Sequence, residues 1–266
     1  MSFTTKFLHF DSANSNYISD ITNTSTNVRN PFKASYSMNQ TFRKVKRVYL
    51  SSMEFPVGFC NVRTGSCDTL KFIFNGTTYT VVLPEKNYVT IASLLTDLNN
   101  LMGPLIPSGA PILNVNYFQQ NRLMFNFVGT IPTTFSVIDT NLSKYILGFR
   151  GSYDGFVNVA GFAQTYMATN SNWNLNFDNY ISLYIPSLGS SCSMSNQLQT
   201  FKVPLNTVTN QVYFYQEGSS FRQWVDISDS NFTMSNITVI VYDKFGNNLN
   251  PNGLDFSFTL SLEIYN

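Results

Sequence analysis

Histidine is almost missing from this chain and charge is scarce: 266 residues hold one His and only 12% Asp, Glu, Lys and Arg, about half the usual globular share of roughly 25%. A Ser-His-Asp or Cys-His centre would have to be built on His9, which sits beside a polar stretch and reads as an ordinary exposed or half-packed histidine. Cys60, Cys67 and Cys192 are too few and too odd in number for a disulfide framework. The gap between Cys60 and Cys67 is too wide for a CxxC half-site. They read as buried thiols of a reducing compartment. No stretch approaches the roughly 18 apolar residues of a membrane span. Met1 to Phe10 lacks the apolar core of a secretory signal. HExxH, paired CxxC, GxGxxG and GxxxxGK[ST] are all absent, so the sequence offers no zinc, dinucleotide or P-loop motif and implies no cofactor, metal or small-molecule substrate. A net charge of +1 gives the whole chain no bias toward nucleic acid.

What the chain has in quantity is aromatic carbon, with 24 Phe and 15 Tyr. Asn, Ser and Thr take the polar positions that Lys and Glu usually occupy. Such neutral groups cost less to desolvate than charges when another subunit covers them. The composition suits a surface destined to lie against other proteins.

Residues 11–40 are polar, with isolated apolar residues including Tyr17, Ile18, Ile21 and Phe32. They are too sparse to fold alone, so residues 1–40 read as an extended arm, and deletion of residues 1–35 should leave the fold intact. Thr41–Pro56 is a β-branched and aromatic strand. Its cluster of Arg43, Lys44, Lys46 and Arg47 reads as the wet side or edge of a sheet, because no aromatic stacking platform accompanies it.

From residue 68 the character changes. Strands at Leu70–Phe74 and Thr78–Leu83 flank Asn75-Gly76, the signature of a type I′ hairpin. The spacing of Ile91, Leu94, Leu95, Leu98, Leu101 and Met102 predicts a helix capped by Thr90 and stopped by Gly103-Pro104. Strands at Ile112–Phe118, Arg122–Val128 and Thr134–Ile138 follow, then a brief helix over Asn141–Leu147 closed by Gly148. Residues 68–150 therefore read as an inserted α+β subdomain that buries its helix stripe on its own small sheet.

Beyond Gly151 the pattern is strand and turn. Strands are expected at Phe156–Met167, Phe177–Ile185, Thr200–Leu205, Gln211–Gln216, Arg222–Ile227, Met234–Tyr242 and Leu254–Tyr265. With Thr41–Pro56 they make eight. The fold expected is mainly β, an antiparallel eight-stranded jelly-roll sandwich over 41–67 and 151–266. An immunoglobulin-like sandwich is its rival. Asp226, Asp229 and Asp243 read as strand-end and turn residues rather than as an acid pair or calcium site. Trp173 and Trp224 read as core or intersubunit contacts, with a sugar-stacking face as the alternative.

Three stretches resemble the single jelly-roll capsid proteins of large eukaryotic DNA viruses, virophages and polinton-like viruses. They are FDSANSNY with RVYLSSMEFPVGFCNV, then NYVTIASLLTDL with ILGF, and the closing ITVIVYDKFGNNLNPNGLDFSFTLSLEIY. The resemblance implies a structural virion protein without catalytic residues, made in the host cytoplasm or a virus factory. It implies a penton subunit that forms homopentamers at icosahedral vertices beside a double jelly-roll major capsid protein and minor capsid proteins. A minor cement protein, or a receptor- or glycan-binding fibre head, is the alternative. Assembly contacts are expected from Tyr17, Ile18, Ile21 and Phe32 in the arm, and from Asn247 and Asn248 in the last turn.

Overall fold

The computed structural model describes residues 2–15, 17–18, 33–106, 111–115, 121–127, 132, 134–151, 165–176, 178–189, 200–205, 211–218, 223–227, 232–249 and 253–266. The chain divides into two compact units, Met1–Phe59 with Asp178–Asn266, and Cys60–Phe177. In chain order the strands are β1 (Phe3–Asp11), β2 (Tyr17–Ile18), β3 (Lys33–Arg43), β4 (Val45–Pro56), β5 (Thr69–Phe74), β6 (Thr77–Val82), β7 (Pro111–Val115), β8 (Leu123–Phe127), β9 (Phe135–Ile138) and β10 (Thr165–Ala168). They continue with β11 (Tyr180–Tyr184), β12 (Phe201–Pro204), β13 (Val212–Gln216), β14 (Trp224–Asp226), β15 (Thr233–Tyr242) and β16 (Ser257–Tyr265). Helix α1 spans Ile91–Met102.

The first unit is a sandwich of two antiparallel sheets. The front sheet runs β1-β16-β4-β13, with β14 also on β4, and the back sheet runs β12-β11-β15-β3-β2. β13 pairs with Ser52–Pro56 and β14 with Arg47–Tyr49, so the two follow one another along β4 and fill a single place in the sheet. The long strands then visit the sheets in the order front, back, front, back, back, front, back, front. That is jelly-roll connectivity, with the second unit inserted between β4 and β11.

Each strand sends alternate residues inward. Phe10, Val48, Leu50, Met53, Phe55, Phe258, Leu260 and Leu262 come from the front sheet. Tyr36, Leu183, Phe201, Val203, Ile237, Val239 and Val241 meet them from the back. Phe10 joins the layers at one edge, stacking on Phe258 at 4.9 Å and meeting Tyr36 at 5.0 Å. Each fully buried side chain of this size contributes about 1.5–3 kcal/mol relative to exposure. Lys44 alone links β3 in the back sheet to β4 in the front, at φ 55°.

Several expectations need correction. Phe3–Asp11 is no arm: it pairs with β16 along its whole length, from Phe3 opposite Tyr265 to Asp11 opposite Ser257. Lys33–Arg43 is likewise a full strand, paired with β15. Of the strand expected at 156–167, residues 156–164 lie outside the described residues. Thr165–Ala168 pairs with β8 in the second unit instead of joining the sandwich. The count of eight is therefore reached by β1, β3, β4, β11, β12, β15 and β16, with β13 and β14 counting as one. The second unit begins at Cys60 and ends at Phe177, where the sequence boundaries are 68 and 150.

That unit contains two three-stranded sheets, β10-β8-β7 and β6-β5-β9. Phe72, Phe125 and Phe127 cluster around Phe135 between them, with ring centroids 5.8, 5.0 and 4.8 Å from its own. Asn75 and Gly76 turn the β5–β6 hairpin with φ of 50° and 77°, as a type I′ turn requires. The Thr90 side chain caps α1 by accepting from the Ser93 N–H at 3.3 Å. Leu94, Leu95, Leu98 and Met102 are buried. The Asn99 amide spans to Leu113 in β7, accepting its N–H and donating to its carbonyl. The second helix is a π-helix, Leu142–Leu147, ended by Gly148 at φ 90°.

Candidate assembly interface

Inward alternation on the front sheet leaves an outer set with an unusual content. β1 turns Phe3, Thr5, Phe7 and His9 outward. Its partner β16 turns Ser257, Thr259, Ser261, Glu263 and Tyr265 the same way, as the register requires. β4 adds Arg47, Tyr49, Ser52 and Glu54, and β13 and β14 add Val212, Phe214, Trp224 and Asp226. Phe3, Phe7, Val212, Phe214 and Trp224 are 49%, 69%, 66%, 56% and 51% exposed. Leu254 is the one other large apolar side chain so exposed among the described residues of this unit. Scattered exposed apolar residues are normal; five on one face of one sheet form a patch of the kind that marks an interaction surface.

A polar cluster lies in the middle of this patch. Arg47 Nε donates to Asp226 Oδ1 at 2.6 Å, and its Nη1 lies 3.9 Å from Glu263. The Tyr49 hydroxyl donates to Glu263 Oε1 at 2.8 Å, and Trp224 Nε1 donates to Asp226 Oδ2 at 3.3 Å. The Trp224 ring packs 6.3 Å from that of Tyr49. The hydrogen bond from Arg47 holds the Asp226 carboxyl below its ordinary range, and the same bond raises the guanidinium. Burial first, then the bond to Glu263, pushes the Tyr49 phenol up. Because the Asp226 value is depressed in the fold, its contribution is present above the ordinary carboxylate range and is lost as pH falls through the lowered value. The cluster fixes side-chain orientation, and every member has a partner.

A small cavity of about 160 Å³ opens on this face between Thr5, Phe7, Tyr49, Glu217, Ser261 and Glu263. A recess of about 530 Å³ lies between β1 and β3, with His9, Asp11 and Tyr36 as the titratable groups of its lining. His9 is exposed on the outer face, its Nδ1 3.1 Å from Thr259 Oγ1. Among the described residues no three His, Cys, Asp or Glu gather as a metal site would need. No described helix is long and apolar enough to cross a membrane.

The contacts expected from sequence lie elsewhere. Tyr17 and Ile18 form β2 and pair with Ser35 and Ala34 at the edge of the back sheet. Ile21 and Phe32 lie outside the described residues, as do Asp229 and Cys192. Asn247 and Asn248 are exposed in the turn after β15. There the Asn247 N–H donates to Asp243 Oδ1 at 2.9 Å, and its carbonyl accepts from the Asp243 N–H. The sequence reading missed Phe3, Phe7, Val212 and Phe214. The period-two spacing of Phe3, Thr5, Phe7 and His9 was the available signal.

No family model matches the chain, and no curated protein matches it. Among solved structures it is similar to the crystal structure of the selenomethionine-labelled mavirus penton protein, with 11% identity and a TM-score of 0.44 over 97% of this chain and 99% of that one.

Proposed function

We propose that this chain is a structural capsid protein, the penton subunit of an icosahedral virion. The observation that carries the reading is the front-sheet face, where exposed aromatic rings surround a fixed polar cluster on a jelly-roll sandwich. Rigid aromatic and Arg side chains are enriched at protein interfaces. The three sequence stretches that resemble single jelly-roll capsid proteins add the kind of assembly. In this reading five copies close into a ring by repeating one contact through rotation. Tyr17, Ile18, Ile21 and Phe32 then reach a neighbouring subunit, and Asn247 and Asn248 meet another capsid protein at one end of the sandwich.

The expected result is a five-membered ring, read by light scattering of the purified protein and by electron microscopy of the capsomer. A species that stays monomeric at high concentration, with or without the major capsid protein, overturns the reading.

A second reading rests on the exposed Trp224 ring, tilted against Tyr49 with Asp226 and Arg47 alongside, the groups that bind a sugar by ring stacking and hydroxyl hydrogen bonds. Under it, a glycan array gives specific signals that Trp224→Ala removes, while its thermal midpoint stays within a few degrees. A blank array removes this alternative.

A further inference from the structure

The back sheet also has an outer face, and its chemistry is the opposite of the front. β12 turns Lys202 outward beside Ser182, which lies opposite Tyr242 of β15. In the next row Tyr184 lies opposite Ile240, and Ile240 opposite Lys33 of β3. Arg43 lies opposite Thr233 further along. Lys202 Nζ sits 4.1 Å above the Tyr180 ring, and Tyr184 packs 6.2 Å from Tyr242. The outward strand positions of this face therefore carry Lys33, Arg43 and Lys202 and no carboxylate among the described residues. Three half-exposed tyrosines and the Ser35–Thr238 hydroxyl pair complete it. The front face carries Glu54, Asp226 and Glu263 on its strands, and Glu217 on the small cavity. Arg47 opposes them, and Lys46 stands close enough to lower the Asp226 carboxyl further.

We propose that the front face of one copy docks on the back face of the next copy. This deepens the penton reading and rests on it. Two observations favour this pairing over a face meeting itself. A front face against a front face sets Glu54, Glu217, Asp226 and Glu263 against the same carboxylates, and like-charge juxtaposition costs several kcal/mol. A back face against a back face does the same with Lys33, Arg43 and Lys202. Front on back opposes acid to base and places Phe3, Phe7, Phe214 and Trp224 on Tyr180, Tyr184 and Tyr242. Because the two surfaces differ, an open chain of copies always keeps one unfilled front at one end and one unfilled back at the other. Growth then stops only when the rotation closes a ring.

The test uses two variants of the full chain, each altered only at outward positions. One is Phe7→Glu with Phe214→Glu on the front; the other is Lys33→Glu with Lys202→Glu on the back. Each alone is expected to remain monomeric, with association weakened at least tenfold and a near-unchanged melting temperature. An equal mixture is expected to give a one-to-one dimer that goes no further, since only one intact front and one intact back can meet. If the front variant melts early, Phe7→Ser with Phe214→Ser takes its place. A back variant that assembles like the unmodified protein overturns the pairing while leaving the penton reading standing. An unmodified protein that forms no ring overturns both.

Discussion

Removal of the first fourteen residues is expected to abolish cooperative folding of the sandwich. The polar character of the N-terminal region suggests a dispensable arm, but the structure makes it the edge of the front sheet. β1 pairs with β16 over all nine of its residues. Each ladder hydrogen bond contributes about 0.5–1.5 kcal/mol net. Phe10, 6% exposed and in contact with rings of both sheets, adds about 3–5 kcal/mol by comparison with Phe-to-Ala losses in cores. Ser12 goes as well. Fully buried, its hydroxyl donates to Asp255 at 2.8 Å and accepts from the Phe256 N–H at 2.9 Å, and its own N–H donates to the Phe256 carbonyl. Without it the entry to β16 loses three bonds. The sum reaches the about 5–15 kcal/mol that separates a folded domain from its unfolded state. Thermal denaturation followed by near-ultraviolet circular dichroism reads the outcome. A truncated protein that melts cooperatively within a few degrees of the full chain would show that β1 is dispensable.

Gly148→Ala is the second large effect, and it belongs to the other unit. Gly148 ends the π-helix at φ 90°, a conformation that a side chain disfavours by about 1–2 kcal/mol. The surroundings add more. The Ser171 N–H donates to the Gly148 carbonyl at 3.0 Å, drawing residues 171–174 onto the turn. A methyl group at position 148 would overlap the Ser171 carbonyl oxygen and lie 2.9 Å from that of Asn172. Both obstacles are backbone, and the neighbouring bond from the Asn174 N–H to the Ile146 carbonyl holds them in place. Strain of this kind adds about 1–3 kcal/mol, so a total of about 2–5 kcal/mol is expected. The readout is hydrogen exchange: protection should fall in β5, β8 and β9 and persist in β16. Gly76→Ala is the control, with a similar φ of 77° but open space around it, and should cost only about 1 kcal/mol. Equal losses for the two variants would mean that crowding at Gly148 contributes nothing.

Local signals in the sequence were read well, and long-range ones were not. Asn75-Gly76, the Thr90 cap, the stripe of Leu94, Leu95 and Leu98 and the Gly148 stop depend on neighbours a few residues away, and each appears where expected. β3 escaped notice because only Ala34, Tyr36 and Phe42 of its eleven residues are buried. Between Lys33 and Arg43 at its two ends, the rest are Met38 and the neutral polar residues Ser35, Ser37, Asn39, Gln40 and Thr41, in place of the charges that usually mark a wet side. β1 escaped for a related reason: its outward Phe3 and Phe7 blur the alternation with inward Leu8 and Phe10. β10 could not be assigned correctly, since nothing within Thr165–Ala168 says that its partner is Leu123–Phe127. The candidate interface has the same dependence. Whether Phe214 or Tyr213 faces the solvent follows from the register of β13 on β4, which becomes visible only once the sheet exists.

The link at Lys44 bears on any redesign of this protein. One residue carries the chain from the back sheet to the front, so that corner has no slack to absorb an insertion or a deletion. Adding a single amino acid between Arg43 and Val45 would either bulge out at the corner or shift β4 by one place. A shifted β4 would turn Val48, Leu50, Met53 and Phe55 to the solvent and Tyr49 and Glu54 to the interior. Epitope tags, permuted termini and length variation therefore do not belong here, and this corner should keep its length where its sequence drifts.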